Sequence, residues 1–177
     1  MNTRHLGLGL LTLASFFALV IACKKTSDNG DVKLAASTMT YKINGNENKL
    51  TTCIAIEQTE GGFHHLGISA LTISDADKAL AITMASSAEI KAGFTFNQSS
   101  ISDNAQGFIS YLEASKGYVT VTTEEKTTSI VEVHITEKTA TYVKGTFTGK
   151  LYDQDTDSDT PAYTIAEGQF NASIQQQ

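Results

Sequence analysis

From residue 38 to residue 174, apolar and polar side chains alternate with a period of two, the mark of strands with one wet face. Met39, Tyr41 and Ile43 alternate with polar residues. Asn44-Gly45 follows, a pair that accepts the positive φ values of a tight hairpin. Leu50, Thr52, Ile54 and Ile56 read as one face of the return strand. Leu66, Ile68 and Ala70 mark a further strand, Ser74-Asp75-Ala76-Asp77-Lys78 a turn, and Leu80, Ile82 and Met84 the strand beyond it. Ile90, Ala92, Phe94 and Phe96 alternate in the same way, and residues 97–106 form a polar loop. Strand-like stretches follow at 107–113, 117–123 and 129–136. The clearest strand is Val143–Leu151, whose odd positions are apolar or glycine and whose even positions are all Lys or Thr. A last strand runs from Gly168 to Ile174. No stretch of twelve or more residues in this region carries a helical stripe. About ten strands with short polar turns predict an all-β domain over residues 38–177. The expected form is an antiparallel β-sandwich, with a closed barrel as the alternative.

The N-terminus has a different pattern. Met1–His5 is short and mildly basic, and Leu6–Ala22 is apolar, the layout of a secretory signal. Val20-Ile21-Ala22-Cys23 resembles the lipobox of bacterial lipoproteins. That resemblance implies that residues 1–22 are cleaved and that Cys23 carries the lipid. Two acyl chains on one residue give stable anchoring where a single chain is marginal. Residues 23–37 then read as the lipidated cysteine and a flexible polar tether. Lys24 stands where some lipoproteins carry an inner-membrane retention aspartate, so the resemblance favours the outer membrane.

Charge and cysteine content narrow the partners. Arg4 is the one charged residue among residues 1–22, so the mature chain is one unit more negative than the −6 of the whole. An acidic domain without a basic cluster is repelled by phosphate backbones, which excludes nucleic acid as an expected partner. The chain has two cysteines. With Cys23 acylated, Cys53 has no disulfide partner, and its apolar setting, Thr52-Cys53-Ile54-Ala55-Ile56, predicts a buried, inert thiol.

Candidate chemistry is sparse. Asp153, Asp155, Asp157 and Asp159 alternate along one loop and are the candidate ligands for a hard cation such as calcium. The glycine and glutamate of the helix–loop–helix calcium motif are replaced by Ser158 and Thr164, so a solvated acidic loop with at most weak calcium binding is expected. His64 and His65 are adjacent, and neighbours on a strand point to opposite faces, so sharing a metal would need help from a residue such as His134. Nucleophile elbows and cofactor motifs are absent from the sequence, which leaves no catalytic residue to name. With no tryptophan, Tyr111, Tyr118, Tyr142, Tyr152 and Tyr163 are expected to pack in or on the sheet rather than to form a sugar platform.

Cys23-Lys24-Lys25, Val143–Leu151 with its Gly145-Thr146-Phe147, and Glu167-Gly168-Gln169-Phe170-Asn171 together resemble small outer-membrane lipoproteins of the Bacteroidetes. Those families end in a similar GTF strand, a variable loop and a GxF strand. The resemblance implies a fold and an address, with no activity to carry over. The expected role is a non-catalytic binding or structural accessory module held to the envelope through Cys23. The alternatives are a small glycan hydrolase and a lipocalin-like carrier of an apolar ligand.

Overall fold

A computed structural model describes residues 37–72, 75–97, 104–120, 131–156 and 158–175. The expected signal segment, Cys23 and nearly all of the tether lie outside these residues, as does Asp157. Among the described residues there is no helix, and therefore none long and apolar enough to cross a membrane.

Eleven strands follow one another: β1 (Thr38–Ile43), β2 (Asn46–Leu50), β3 (Thr52–Glu60), β4 (Phe63–Thr72), β5 (Asp75–Ser86), β6 (Thr95–Asn97), β7 (Ala105–Glu113), β8 (Lys116–Val119), β9 (Val131–Lys138), β10 (Tyr142–Asp153) and β11 (Tyr163–Gln175). Hydrogen bonds join them into one mixed sheet in the order β2-β1-β11-β3-β4-β5-β7-β8-β10-β9-β6, with a further β10–β11 pairing. The all-β expectation holds. Two departures matter. The pairing is not wholly antiparallel, because β11 and β3 run parallel through Ser173↔Ile54, Ile174↔Ala55 and Gln175↔Ile56. The β10–β11 pairing also closes a circuit through β3, β4, β5, β7 and β8, rather than leaving two separately bonded sheets.

That circuit has two thin seams. One is the short parallel β11–β3 contact. The other is β8–β10, where only Tyr152↔Val119 and Asp153↔Tyr118 pair. Between the seams the ladders are long, with β3–β4, β4–β5 and β5–β7 paired along most of their lengths.

Alternation dictates the core. Met39, Tyr41 and Ile43, then Leu66, Ile68 and Ala70, then Leu80, Ile82 and Met84 all point inward and are buried. Asn44 and Gly45 both have positive φ, 49° and 86°, as the predicted hairpin needs. Cys53 is fully buried, and burial pushes its thiol up to about 12.

The GTF and GxF strands lie side by side, and their register explains the motif. Gly145 pairs with Phe170, Thr146 with Gln169 and Phe147 with Gly168. Each ring lies over the glycine opposite: a Cβ on Gly168 would sit 2.8 Å from the Phe147 ring, and one on Gly145 would meet the Phe170 ring inside 3.0 Å. The two rings pack together with centroids 6.3 Å apart. Glycine supplies the space here, and aromatic area fills it.

Several expected elements differ in the structure. Leu50 and Ile54 do not share a strand face: the chain breaks at Thr51, Leu50 is buried, and β3 buries Cys53 and Ala55 while Ile54 and Ile56 face outward. The alternation at 90–96 is a strand only from Thr95 to Asn97, because Gly93 turns the chain at φ 88° and leaves Ala92 exposed. Of the turn expected at 74–78, residues 75–78 instead belong to β5, which begins at Asp75. β11 starts five residues early, at Tyr163 rather than Gly168, and is offset at Ala166-Glu167, where Glu167 has φ 52°. That bulge moves the buried positions from Ile165 to Gly168, Phe170 and Ala172.

Candidate functional site

At one end of the domain, inward-pointing positions become polar. Tyr163 donates its hydroxyl hydrogen to Glu113 Oε2 at 2.9 Å, and Lys78 Nζ stands 3.2 Å from Glu113 Oε1. Tyr163 and Tyr118 meet edge to face at 4.7 Å, and Tyr111 packs against both. Tyr111, Tyr118 and Tyr152 are buried, whereas Tyr142 and Tyr163 are half-buried, so the tyrosines pack as expected. Burial alone would raise the Glu113 carboxyl, but hydrogen bonds from Tyr163 and Lys78 outweigh it and hold the group below its usual range. Desolvation and the neighbouring Tyr41 and Glu113 push the Tyr111 phenol far upward.

A pH prediction follows from Glu113. A carboxyl depressed in the fold stabilises it above the ordinary value of about 4.3, and that contribution is lost as pH falls through the folded value. Urea midpoints between pH 6 and pH 3 will therefore fall further for the native chain than for Glu113→Gln. Parallel curves for the two would refute the assignment.

The acidic loop begins beside this cluster. Lys116 Nζ lies 2.5 Å from Asp153 Oδ2, and Asp153 Oδ1 accepts the Asp155 backbone N–H at 3.0 Å. The lysine contact holds the Asp153 carboxyl below its ordinary range. Both oxygens of Asp153 are thus engaged within the chain. Asp155 and Asp159 are exposed, and among the described residues no group of three or more His, Cys, Asp or Glu side chains is arranged to hold a metal ion.

The histidines are not brought together. His64 Nδ1 is 3.4 Å from the Thr59 hydroxyl, His65 packs on Phe63, and His134 Nδ1 is 2.8 Å from the Thr95 hydroxyl on β6. Two open depressions of about 250 and 240 Å³ lie on the outer side of β1, β11, β10 and β9. Thr40, Thr146 and Gln169 line the first, and Glu132, Thr148 and Glu167 the second.

The outer surface is divided by charge. Over β1, β9, β10 and β11 it carries Lys42 with Glu167 at 2.7 Å, Lys144 with Glu137 at 2.7 Å, and Glu132 and Lys150. Over β3, β4, β5, β7 and β8 the described outward side chains carry Glu60, at the end of β3, and no charge in the three rows that follow. Register defines three rows there: Thr52, Leu71, Ala79, Leu112 and Gly117; Ser173, Ile54, Ser69, Ala81, Ser110 and Val119; and Ile56, Gly67, Thr83 and Phe108. Ile54, Ile56, Leu71, Ala79, Ala81, Phe108 and Leu112 are half-buried. The Ser110 hydroxyl, buried in the middle row, has no hydrogen-bond partner among the described residues. A contiguous uncharged sheet face of this width is the strongest binding feature among the described residues.

Residue-by-residue reading missed this face. Its one sequence signal is that both parities are apolar in Cys53–Ile56, Ala79–Ala85 and Phe108–Leu112, a pattern typical of strands covered on both sides. Compared with known protein families, curated proteins and solved structures, the chain shows no match.

Proposed function

We propose that this chain is a lipoprotein of the bacterial outer membrane, anchored through Cys23, whose β domain acts by binding rather than by catalysis. The anchor rests on the lipobox-like Val20-Ile21-Ala22-Cys23 and on the resemblance to small Bacteroidetes lipoproteins. The observation that carries the binding role is the uncharged face over β3, β4, β5, β7 and β8. Support also comes from the carboxylates Glu113 and Asp153, each held by a lysine instead of converging in a cleft, and from an interior filled by side chains such as Phe96, Phe147 and Met84.

Sandwich packing belongs to the same proposal. β2, β1, β11, β10, β9 and β6 would form one layer and β3, β4, β5, β7 and β8 the other, with the two thin seams as its corners. Tyr41 on β1 meets Tyr111 on β7 at 6.4 Å although those strands do not pair, as two facing layers require.

Cys23→Ser tests the anchor. Fractionation of the native host should show the parent protein in the membrane and the variant released or left unprocessed. Mass spectrometry should find acyl chains on Cys23 at the mature N-terminus. An unmodified Cys23 behind a cut elsewhere would refute the anchor.

A further inference from the structure

The uncharged face and the chain's point of entry lie at the same corner. Ser37, the first described residue, hydrogen-bonds through its hydroxyl to the hydroxyl of Ser173. Ser173 pairs with Ile54 and begins the middle row of the face. Whatever precedes Ser37 therefore reaches the domain at the edge of the uncharged surface.

We propose that this face rests on the lipid surface in which Cys23 is anchored. The inference relies on the anchor reading and adds an orientation to it. Residues 24–36 can span at most about 45 Å, the fully extended length of that many residues. A sheet of five strands is roughly 20–25 Å wide. The anchor and any point on the face are thus within reach of each other. Tethering at this length gives an effective concentration in the millimolar range, so a weak attraction is enough to populate the contact.

Charge selects the side. The mature domain is acidic, and an acidic surface is repelled by anionic headgroups. Glu132, Glu137 and Glu167 all lie on the opposite side, over β9 and β11. The three rows beside the entry point carry no like charge to be repelled, and Ile54, Ile56 and Phe108 gain by leaving water. A second copy of the chain is the competing occupant, and the test separates the two.

Thr83→Cys on the uncharged face and Thr146→Cys on the charged side report accessibility. Buried Cys53, with its raised thiol, gives little background. Lipidated protein in vesicles of neutral and anionic phospholipid is compared with the unlipidated Cys23→Ser form, using a charged thiol reagent that does not cross membranes. Labelling of Thr83→Cys should slow at least fivefold on vesicles, while Thr146→Cys labels equally in both states. Equal labelling of Thr83→Cys in both states, with Cys23 shown by mass to be acylated, overturns the orientation and leaves the anchor standing. Protection of Thr83→Cys already in the unlipidated form, rising with protein concentration alongside a dimer in sedimentation, overturns it in favour of a second copy. An unacylated Cys23 overturns the anchor and this inference with it.

Discussion

Gly145→Ala will cost the domain about 3 kcal/mol, an amount at the upper end for overpacking a core. The added methyl has nowhere to go. It would lie inside 3.0 Å of the His134 backbone carbonyl on β9 and of the Phe170 ring on β11. The carbonyl is held where β9 runs alongside β10, and the ring is buried against Phe147. Neither can retreat without opening a neighbouring ladder. Gly168→Ala meets the mirror-image obstacle, the Phe147 carbonyl and ring. Thr146→Ala, between the two motif positions and exposed, should stay within about 0.5 kcal/mol of the parent. Urea unfolding of the three variants checks this, and a Gly145→Ala midpoint equal to that of Thr146→Ala would refute the packing.

Phe147→Ala and Phe170→Ala should each cost about 3–5 kcal/mol, since each empties a large buried site that the facing glycine cannot fill. Phe147 is 2% exposed and Phe170 3%, and Phe147 also packs against Tyr41 at 6.3 Å. Their losses will not add, because the two rings touch. Domains of this kind are stable by only about 5–15 kcal/mol, so the double variant should fail to fold. The readout is the denaturant midpoint of each single variant, and a loss near zero for either would mean that its ring faces solvent.

The strands that were easiest to read are those with one wet face. Val143–Leu151 alternates without interruption, and every odd position is buried as its pattern demands. The Asn44-Gly45 hairpin was equally legible, because few residue pairs accept positive φ twice. Where both parities are apolar, the alternation stops indicating which side is in. At 52–56 the isoleucines look like the core, yet the smaller Cys53 and Ala55 are buried. At 163–175 a single bulge changes the phase, and no local property of Ala166-Glu167 announces it.

The candidate site was hidden for a related reason. Each residue of the uncharged face is unremarkable in its own strand. Ser69, Ala81 and Ser110 become a row only when β4, β5 and β7 are aligned. The sequence alone determined the all-β class, the tight hairpin, the buried thiol of Cys53 and the lipobox-like segment before Cys23, because these depend on local periodicity, backbone preference and short motifs. Tertiary structure decided the order of the strands, the parallel β11–β3 seam and the pairing of each glycine with the opposite phenylalanine. It also decided which rows of the sheet are free of charge. Those features are set by which distant strands meet and in what register, and a period of two is the same for every partner a strand might find.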